Sequence, residues 1–217
     1  MKKTLLTICL VWMCFSLSAQ KIIDLSGKWS FSIDRQDNGE KEKWFSHTLN
    51  DFINLPGSMP EKLKGDEVTA KTQWTGSLYD SSYYYNPYME KYRKEGNIKF
   101  PFFLTPDKHY VGAAWYQKEV NIPADWKGER ILLFLERPHI ETTVWVNGQK
   151  TGMQNSLCVP HQYDITRYVR PGKCTITIRV DNRIKEINVG PDPHSITAQE
   201  RYCRTHLSAN DSENIFR

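Results

Sequence analysis

Cysteine is scarce, with five in 217 residues, and no CxxC or Cys/His ligand spacing occurs, which removes support for a structural zinc site. The same scarcity excludes a disulfide-dense miniprotein. The two signs of charge nearly balance, 29 Lys and Arg against 25 Asp and Glu, and the formal net charge of +4 is too small an excess to point to a nucleic-acid partner. No hydrophobic run is long enough for a polytopic membrane protein, and no low-complexity or collagen-like repeat is present. Nor is there a long stretch of apolar residues at helical spacing, so an α-helical bundle is excluded as well.

Apolar residues make up 39% of the chain and aromatics 12%, enough for a sizeable core and too much for a disordered polypeptide. Residues 1–19 have the three parts of a secretory signal: Lys2 and Lys3, an apolar run over 5–17, then Ser18 and Ala19 before Gln20. That run of about 13 residues falls short of the roughly 20 needed to cross a bilayer. Cleavage is expected after Ala19, giving an exported, periplasmic or secreted protein with no membrane span. Cleavage also removes Cys9 and Cys14. Of the remaining Cys158, Cys174 and Cys203, the first two read as core positions, with a disulfide in an oxidising compartment as the competing reading.

The rest of the chain reads as short strands separated by turns. Residues 28–34 alternate, placing Trp29, Phe31 and Ile33 on one face, and 52–55 form a short apolar run ended by Pro56-Gly57. Residues 114–122 make a strand with Trp115 and Gln117 on one side and Tyr116, Lys118, Val120 and Ile122 on the other. The unbroken run 131–135 suits a strand covered on both faces. Residues 141–146 alternate and lead into Asn147-Gly148, a type I′ hairpin signal, with 149–153 as the return strand. A turn or single helical turn is expected over 163–169, with Asp164 as its cap. Residues 174–181 then form a strand with Ile176, Ile178 and Val180 inward. The class is all-β, an antiparallel sandwich of the jelly-roll type.

Two segments break the pattern. Residues 79–108 are a long insertion carrying Tyr79, Tyr83, Tyr84, Tyr85, Tyr88 and Tyr92, followed by Pro101, Phe102 and Phe103; aromatic density argues against disorder there. Residues 198–217 lack alternation and have little apolar content, and read as an atypical, disordered tail.

Several motifs occur in order along the chain: Asp24-Leu25-Ser26-Gly27-Lys28-Trp29, Leu55-Pro56-Gly57-Ser58-Met59, Ala114-Trp115-Tyr116-Gln117-Lys118-Glu119-Val120 and Leu135-Glu136-Arg137. Val144-Trp145-Val146-Asn147-Gly148, Pro160-His161-Gln162-Tyr163-Asp164-Ile165-Thr166 and Ile178-Arg179-Val180-Asp181-Asn182 follow. Together they resemble the N-terminal sugar-binding jelly roll of glycoside hydrolase family 2, which includes β-galactosidases, β-glucuronidases and β-mannosidases. The resemblance covers about residues 22–197 and implies a galactose-binding-domain-like sandwich at 20–197.

It further implies that a complete homologue continues into an immunoglobulin-like domain and a (β/α)₈ barrel, whose two glutamates perform retaining hydrolysis about 5 to 5.5 Å apart. Such a barrel takes roughly 250 residues, so no catalytic residue, cofactor or metal is assigned to this chain, and the expected partner is a carbohydrate. After residues 190–197 the resemblance stops. Related sequences continue with a polar loop, a Trp/Gly-rich stretch and a closing strand; the different end here reads as a frameshift or premature stop, which puts the last strand of the sandwich in question.

Carboxylates are present at Glu136, Glu141, Asp164, Asp181 and Asp192, but nothing in the sequence sets two of them facing each other. Ser195, His194 and Asp192 lack a nucleophile elbow. The candidate sugar contacts are Asp192 and His194, on a loop that would approach the barrel mouth, and Tyr84 and Tyr85, whose rings could stack on a pyranose face. The competing readings are a solvated turn for the first pair and packing of the insertion for the second. Trp29, Trp115 and Trp145 read as core, and Arg137, Asn147 and Asn182 as structural residues at strand ends. Two functional readings result: an accessory domain of an exported glycosidase, present without its barrel, or a free-standing carbohydrate-binding module that uses the tyrosine-rich loop. A protein-interaction domain without a sugar role is the third.

Overall fold

The alternation of apolar and polar residues produces two antiparallel sheets that bury their apolar faces against each other. A computed structural model describes residues 21–72, 81–100, 106–157 and 159–183, together with the backbone of 205–209. The strands are β1 (Lys21–Asp24), β2 (Gly27–Asp34), β3 (Asp51–Leu55), β4 (Asp66–Glu67), β5 (Lys108–His109) and β6 (Ala113–Ile122). They continue with β7 (Ile131–Leu135), β8 (Glu141–Val146), β9 (Gln149–Asn155), β10 (His161–Asp164), β11 (Gly172–Asp181) and β12 (Thr205–Ala209). One sheet runs β3-β2-β6-β11-β8-β9 and the other β1-β12-β7-β10, while β4 and β5 pair separately. Every pairing is antiparallel.

The main core lies between the sheets. Trp29, Phe31, Val120, Ile122, Val144, Val146, Ile176 and Ile178 enter it from the six-stranded side, and Ile131, Leu133, Leu135 and Tyr163 from the other. Ile33 and Val180 pack at its margin, as the alternation of their strands requires. The Asn147-Gly148 turn has φ of 50° and 77°, the left-handed pair that a type I′ hairpin needs.

The outer face of the six-stranded sheet is covered in its central part, where Trp115, Gln117, Trp145, Thr177 and Arg179 are buried. The segment between β2 and β3 folds across it, so all six residues of β8 are buried. Trp115 and Trp145 stack with centroids 4.9 Å apart, with Trp44 and Phe45 of the covering segment against them at 6.0 and 5.2 Å. Leu49 completes this second cluster. The cover is pinned by Asp34, only 3% exposed. Its carboxylate accepts from the backbone N–H of Asn38 (2.9 Å) and Gly39 (2.8 Å) and from Trp115 Nε1 (3.0 Å).

Gly39 lies so close that a Cβ there would sit 2.5 Å from Trp115 Nε1 and 2.7 Å from Asp34 Oδ2. Gly39→Ala is therefore expected to cost about 1 to 3 kcal/mol through overpacking, read as a lower denaturation midpoint with an unchanged m-value.

The structure departs from the sequence reading in three places. His161–Asp164 is a strand, not the start of a turn; the turn begins only after it. The insertion is framed by the β4-β5 pair and has its own small core. Within the tail read as structureless, Thr205–Ala209 forms β12, which takes the position between β1 and β7. Main-chain pairing carries that placement, with Lys21 opposite Ala209 and Thr205 opposite Leu135.

Candidate functional site

Charged and polar side chains gather at the end of β11, where its outward-facing residues meet the covering segment. Antiparallel pairing sets Asp181 opposite Glu141, so two of the carboxylates that the sequence left unpaired do meet. Arg179 lies beside them: Nη1 is 3.4 Å from Glu141 Oε1, and Nη2 is 3.1 Å from Asp181 Oδ2 and 2.6 Å from Asp37 Oδ1. Arg183 Nη2 closes the cluster at 2.6 Å from Asp37 and 2.5 Å from Asp181.

Burial by itself would raise the Asp181 carboxyl, but hydrogen bonds from Arg183 and the charges of both guanidiniums outweigh it and hold it down to about 2. A general acid needs its carboxyl raised towards the operating pH. Asp181 is instead a permanent anion, and the cluster ties strand end to covering segment rather than forming an acid/base pair. Asp164 acts as the expected turn cap, accepting from Thr166 N (3.1 Å) and Thr166 Oγ1 (2.6 Å); those bonds and its contact with Arg130 lower its carboxyl.

A second polar cluster lies inside the sandwich around His161, which is fully buried. Thr142 Oγ1 stands 2.6 Å from His161 Nδ1 and 2.7 Å from the Tyr163 hydroxyl, which also donates to the Thr142 carbonyl at 2.9 Å. With its proton on Nε2, the imidazole donates to the Ser156 carbonyl at 3.2 Å. Burial lowers the histidine below its ordinary value, against a weaker opposing pull from Ser156, and pushes Tyr163 up to about 12. All the polar atoms of this cluster are engaged with one another, so it holds β8 to β10.

His161 is therefore expected to titrate below the ordinary histidine value near 6.5; NMR titration of its ring protons checks this. The sign follows from linkage. A histidine lowered in the folded state contributes stability that is complete above about pH 6.5 and is lost as pH falls below it.

Asn147 and Asn182 also do structural work. Asn147 accepts from Thr175 N (2.9 Å) and donates to the Tyr168 carbonyl (3.2 Å). Asn182 accepts from Gly112 N (2.7 Å) and donates to the Tyr110 carbonyl (2.8 Å), clamping the end of β11 to the start of β6. Arg137 is exposed. Cys174 is a buried thiol in the main core, raised to about 11 by burial. Among the described residues, no group of three His, Cys, Asp or Glu is placed to hold a metal ion, and no helix is long and apolar enough to cross a membrane.

The sequence-derived sugar contacts divide. Asp192 and His194 lie outside the described residues, as do Cys158 and Cys203. Tyr84 is half-buried and meets Tyr83 edge-on at 5.0 Å, part of the insertion's small core with Phe100, Met89, Tyr92 and Ile98. Tyr85 is 82% exposed and Tyr88 84%. Among the described residues, the insertion thus turns Tyr83, Tyr84 and Tyr92 inward and Tyr85 and Tyr88 outward. Its base is fastened by ion pairs between Lys108 and Glu67 and between Arg35 and Asp66.

Two antiparallel sheets packed face to face, with the buried charges neutralised by the domain's own side chains, define a β-sandwich domain. Comparison with known proteins places it more closely. Residues 22–203 match the model of glycosyl hydrolases family 2, sugar binding domain, and the chain belongs to that family.

Among its relatives, a β-glucuronidase of Paenibacillus borealis is 26% identical over 194 residues, covering 84% of this chain and 26% of the relative. A human β-glucuronidase is 24% identical over 207 residues, covering 89% and 26% respectively. A solved Ruminococcus gnavus β-glucuronidase shares the fold with a TM-score of 0.55 at 17% identity, covering 89% of this chain and 28% of that one. The chain thus spans about a quarter of the length of the curated relatives it matches.

Proposed function

We propose that this domain is the carbohydrate-binding accessory module of an exported family 2 glycosidase acting on β-glycosides such as glucuronides. In this reading the 217 residues supply a scaffold that helps hold substrate beside a catalytic barrel lying outside them. The observation that supports it best is the match of residues 22–203 to the family's sugar-binding domain. The chemistry of Asp181 agrees with a scaffold: Arg183 and Arg179 hold it as an anion rather than as an acid with a proton to donate. Export rests on the signal pattern of residues 1–19.

The test pairs two measurements on the purified chain. Calorimetric titration with glucuronide and galactoside oligosaccharides is expected to give saturable binding, and 4-nitrophenyl β-glucuronide and β-galactoside are expected to release no nitrophenol above the buffer rate. Turnover by homogeneous protein would overturn the scaffold reading, and absence of binding to every glycan offered would overturn the carbohydrate reading. Signal-dependent appearance of the chain in a periplasmic fraction tests export separately.

A further inference from the structure

The outward side of the insertion carries a periodic row. Tyr85, Tyr88, Lys91 and Lys94 recur every third residue, and all four are exposed. The middle of this stretch, Pro87–Tyr92, is a 3₁₀ helix, in which residues i and i+3 eclipse each other about 6 Å apart. Tyr88 and Lys91 therefore leave the backbone on one edge, with the Lys91 ammonium 4.9 Å from the Tyr92 ring centroid. Tyr85 closes the preceding helical turn Ser82–Tyr85, and Lys94 follows the helix, 3.4 Å from Glu90.

The backbone beneath the row is fixed. Asn86 N donates to Ser82 O at 2.8 Å, and the Asn86 side chain accepts from Tyr88 N at 3.0 Å. Tyr83 O–H donates to Tyr92 O at 2.8 Å, and Asn97 Nδ2 to Lys91 O at 2.8 Å. The opposite side is packed around the buried Tyr83 and Phe100. Residues 81–100 carry Lys91, Arg93, Lys94 and Lys99 against only Glu90 and Glu95, so the local charge is positive.

Resting on the carbohydrate reading above, we propose that this row is a binding site for an acidic oligosaccharide, with Tyr85 and Tyr88 stacking on pyranose faces and Lys91 meeting a carboxylate. An aromatic face offers apolar contact while the phenol edge stays hydrated, and the 6 Å step is on the scale of one sugar ring. The ammonium groups make an anionic chain the better fit than a neutral one, and they make binding sensitive to salt. The backbone beneath the rings is held before the ligand arrives, so no ordering of the chain opposes binding.

The test uses the full chain and calorimetry with tetragalacturonic acid, with cellotetraose as the neutral probe. Tetragalacturonic acid is expected to bind at least tenfold more tightly than cellotetraose, and its affinity to fall as salt rises from 50 to 500 mM. The double variant Tyr85→Ala/Tyr88→Ala is expected to lose at least tenfold, and Lys91→Ala severalfold, with unfolding midpoints unchanged because neither ring is packed. Equal affinity for the two probes, or undiminished binding by the tyrosine variant, overturns the proposal. If glycans still bind the tyrosine variant at parental affinity, the accessory-domain reading survives and this site alone falls. If the parent binds no glycan at all, both fall.

Discussion

Arg179→Met is expected to destabilise the domain by about 3 kcal/mol at neutral pH, the low end of the 3 to 5 kcal/mol that follows when one partner of a buried ion pair is removed. Arg179 is the central cation of the cluster, facing Asp37, Asp181 and Glu141, and the Asp181 side chain is wholly shielded from water. The low end applies because Arg183 still contacts Asp181 and Asp37 in the variant.

The loss is expected to depend on pH in a defined way. The Asp181 carboxyl is held at about 2 in the fold, below the ordinary value near 3.9, so its contribution is complete above about pH 4 and lost as pH falls towards 2. The stability gap between parent and variant should therefore be widest above pH 4 and narrow below it. Urea unfolding at several pH values reads the gap, and a gap independent of pH would show that Arg179 acts through packing alone. Adding Asp181→Asn to the variant should recover part of the loss by removing the stranded charge.

Trp115→Ala is the second large effect, expected at about 3 to 5 kcal/mol for loss of a fully buried indole. Trp115 is the joint between sheet and cover. It stacks on Trp145 and touches Trp44, and its N–H reaches Asp34. Trp115→Phe keeps a ring in the stack and removes the donor, so about 1 to 3 kcal/mol is expected for weakening a hydrogen bond to a buried carboxylate. The two variants together separate stacking from hydrogen bonding. Because the cover rests on this ring, limited trypsin digestion of Trp115→Ala should cut at the exposed Lys41 and Lys43 before any site in the strands. Uniform digestion would mean that the cover is held by Asp34 and the ion cluster instead.

The inner face of the sandwich was legible because alternation reports directly on burial between two layers. Trp29, Phe31, Ile176 and Ile178 are all where their period of two places them, and Asn147-Gly148 makes the hairpin its chemistry demands. The outer face was not legible in the same way. Thr177, Arg179 and Asp181 are buried, yet polar residues alternating with apolar ones read as a solvated face until the covering segment is known. Trp115 and Trp145 gave the available signal, since two tryptophans on a nominally wet face require a cover.

His161–Asp164 was missed as a strand because only Tyr163 is apolar in it, and its burial comes from pairing with β7. β12 was missed for a related reason: its residues show no long apolar alternation, while its place depends on main-chain bonds to β1 and β7. Tyr84 and Tyr85 are adjacent in sequence, which does not distinguish them, but the helical turn sends one into the insertion's core and the other to solvent.

The order of strands in the smaller sheet also bears on how the polypeptide matures during synthesis. β1 joins that sheet through β12, so among the described strands the earliest to leave a ribosome must wait for the latest before its backbone is paired. Closing so distant a contact is slow compared with forming hairpins such as β8-β9. The larger sheet can assemble while translation proceeds, whereas completion of the smaller one is a late event, and during that interval the nascent edge of β7 stays open to chaperones or to neighbouring chains.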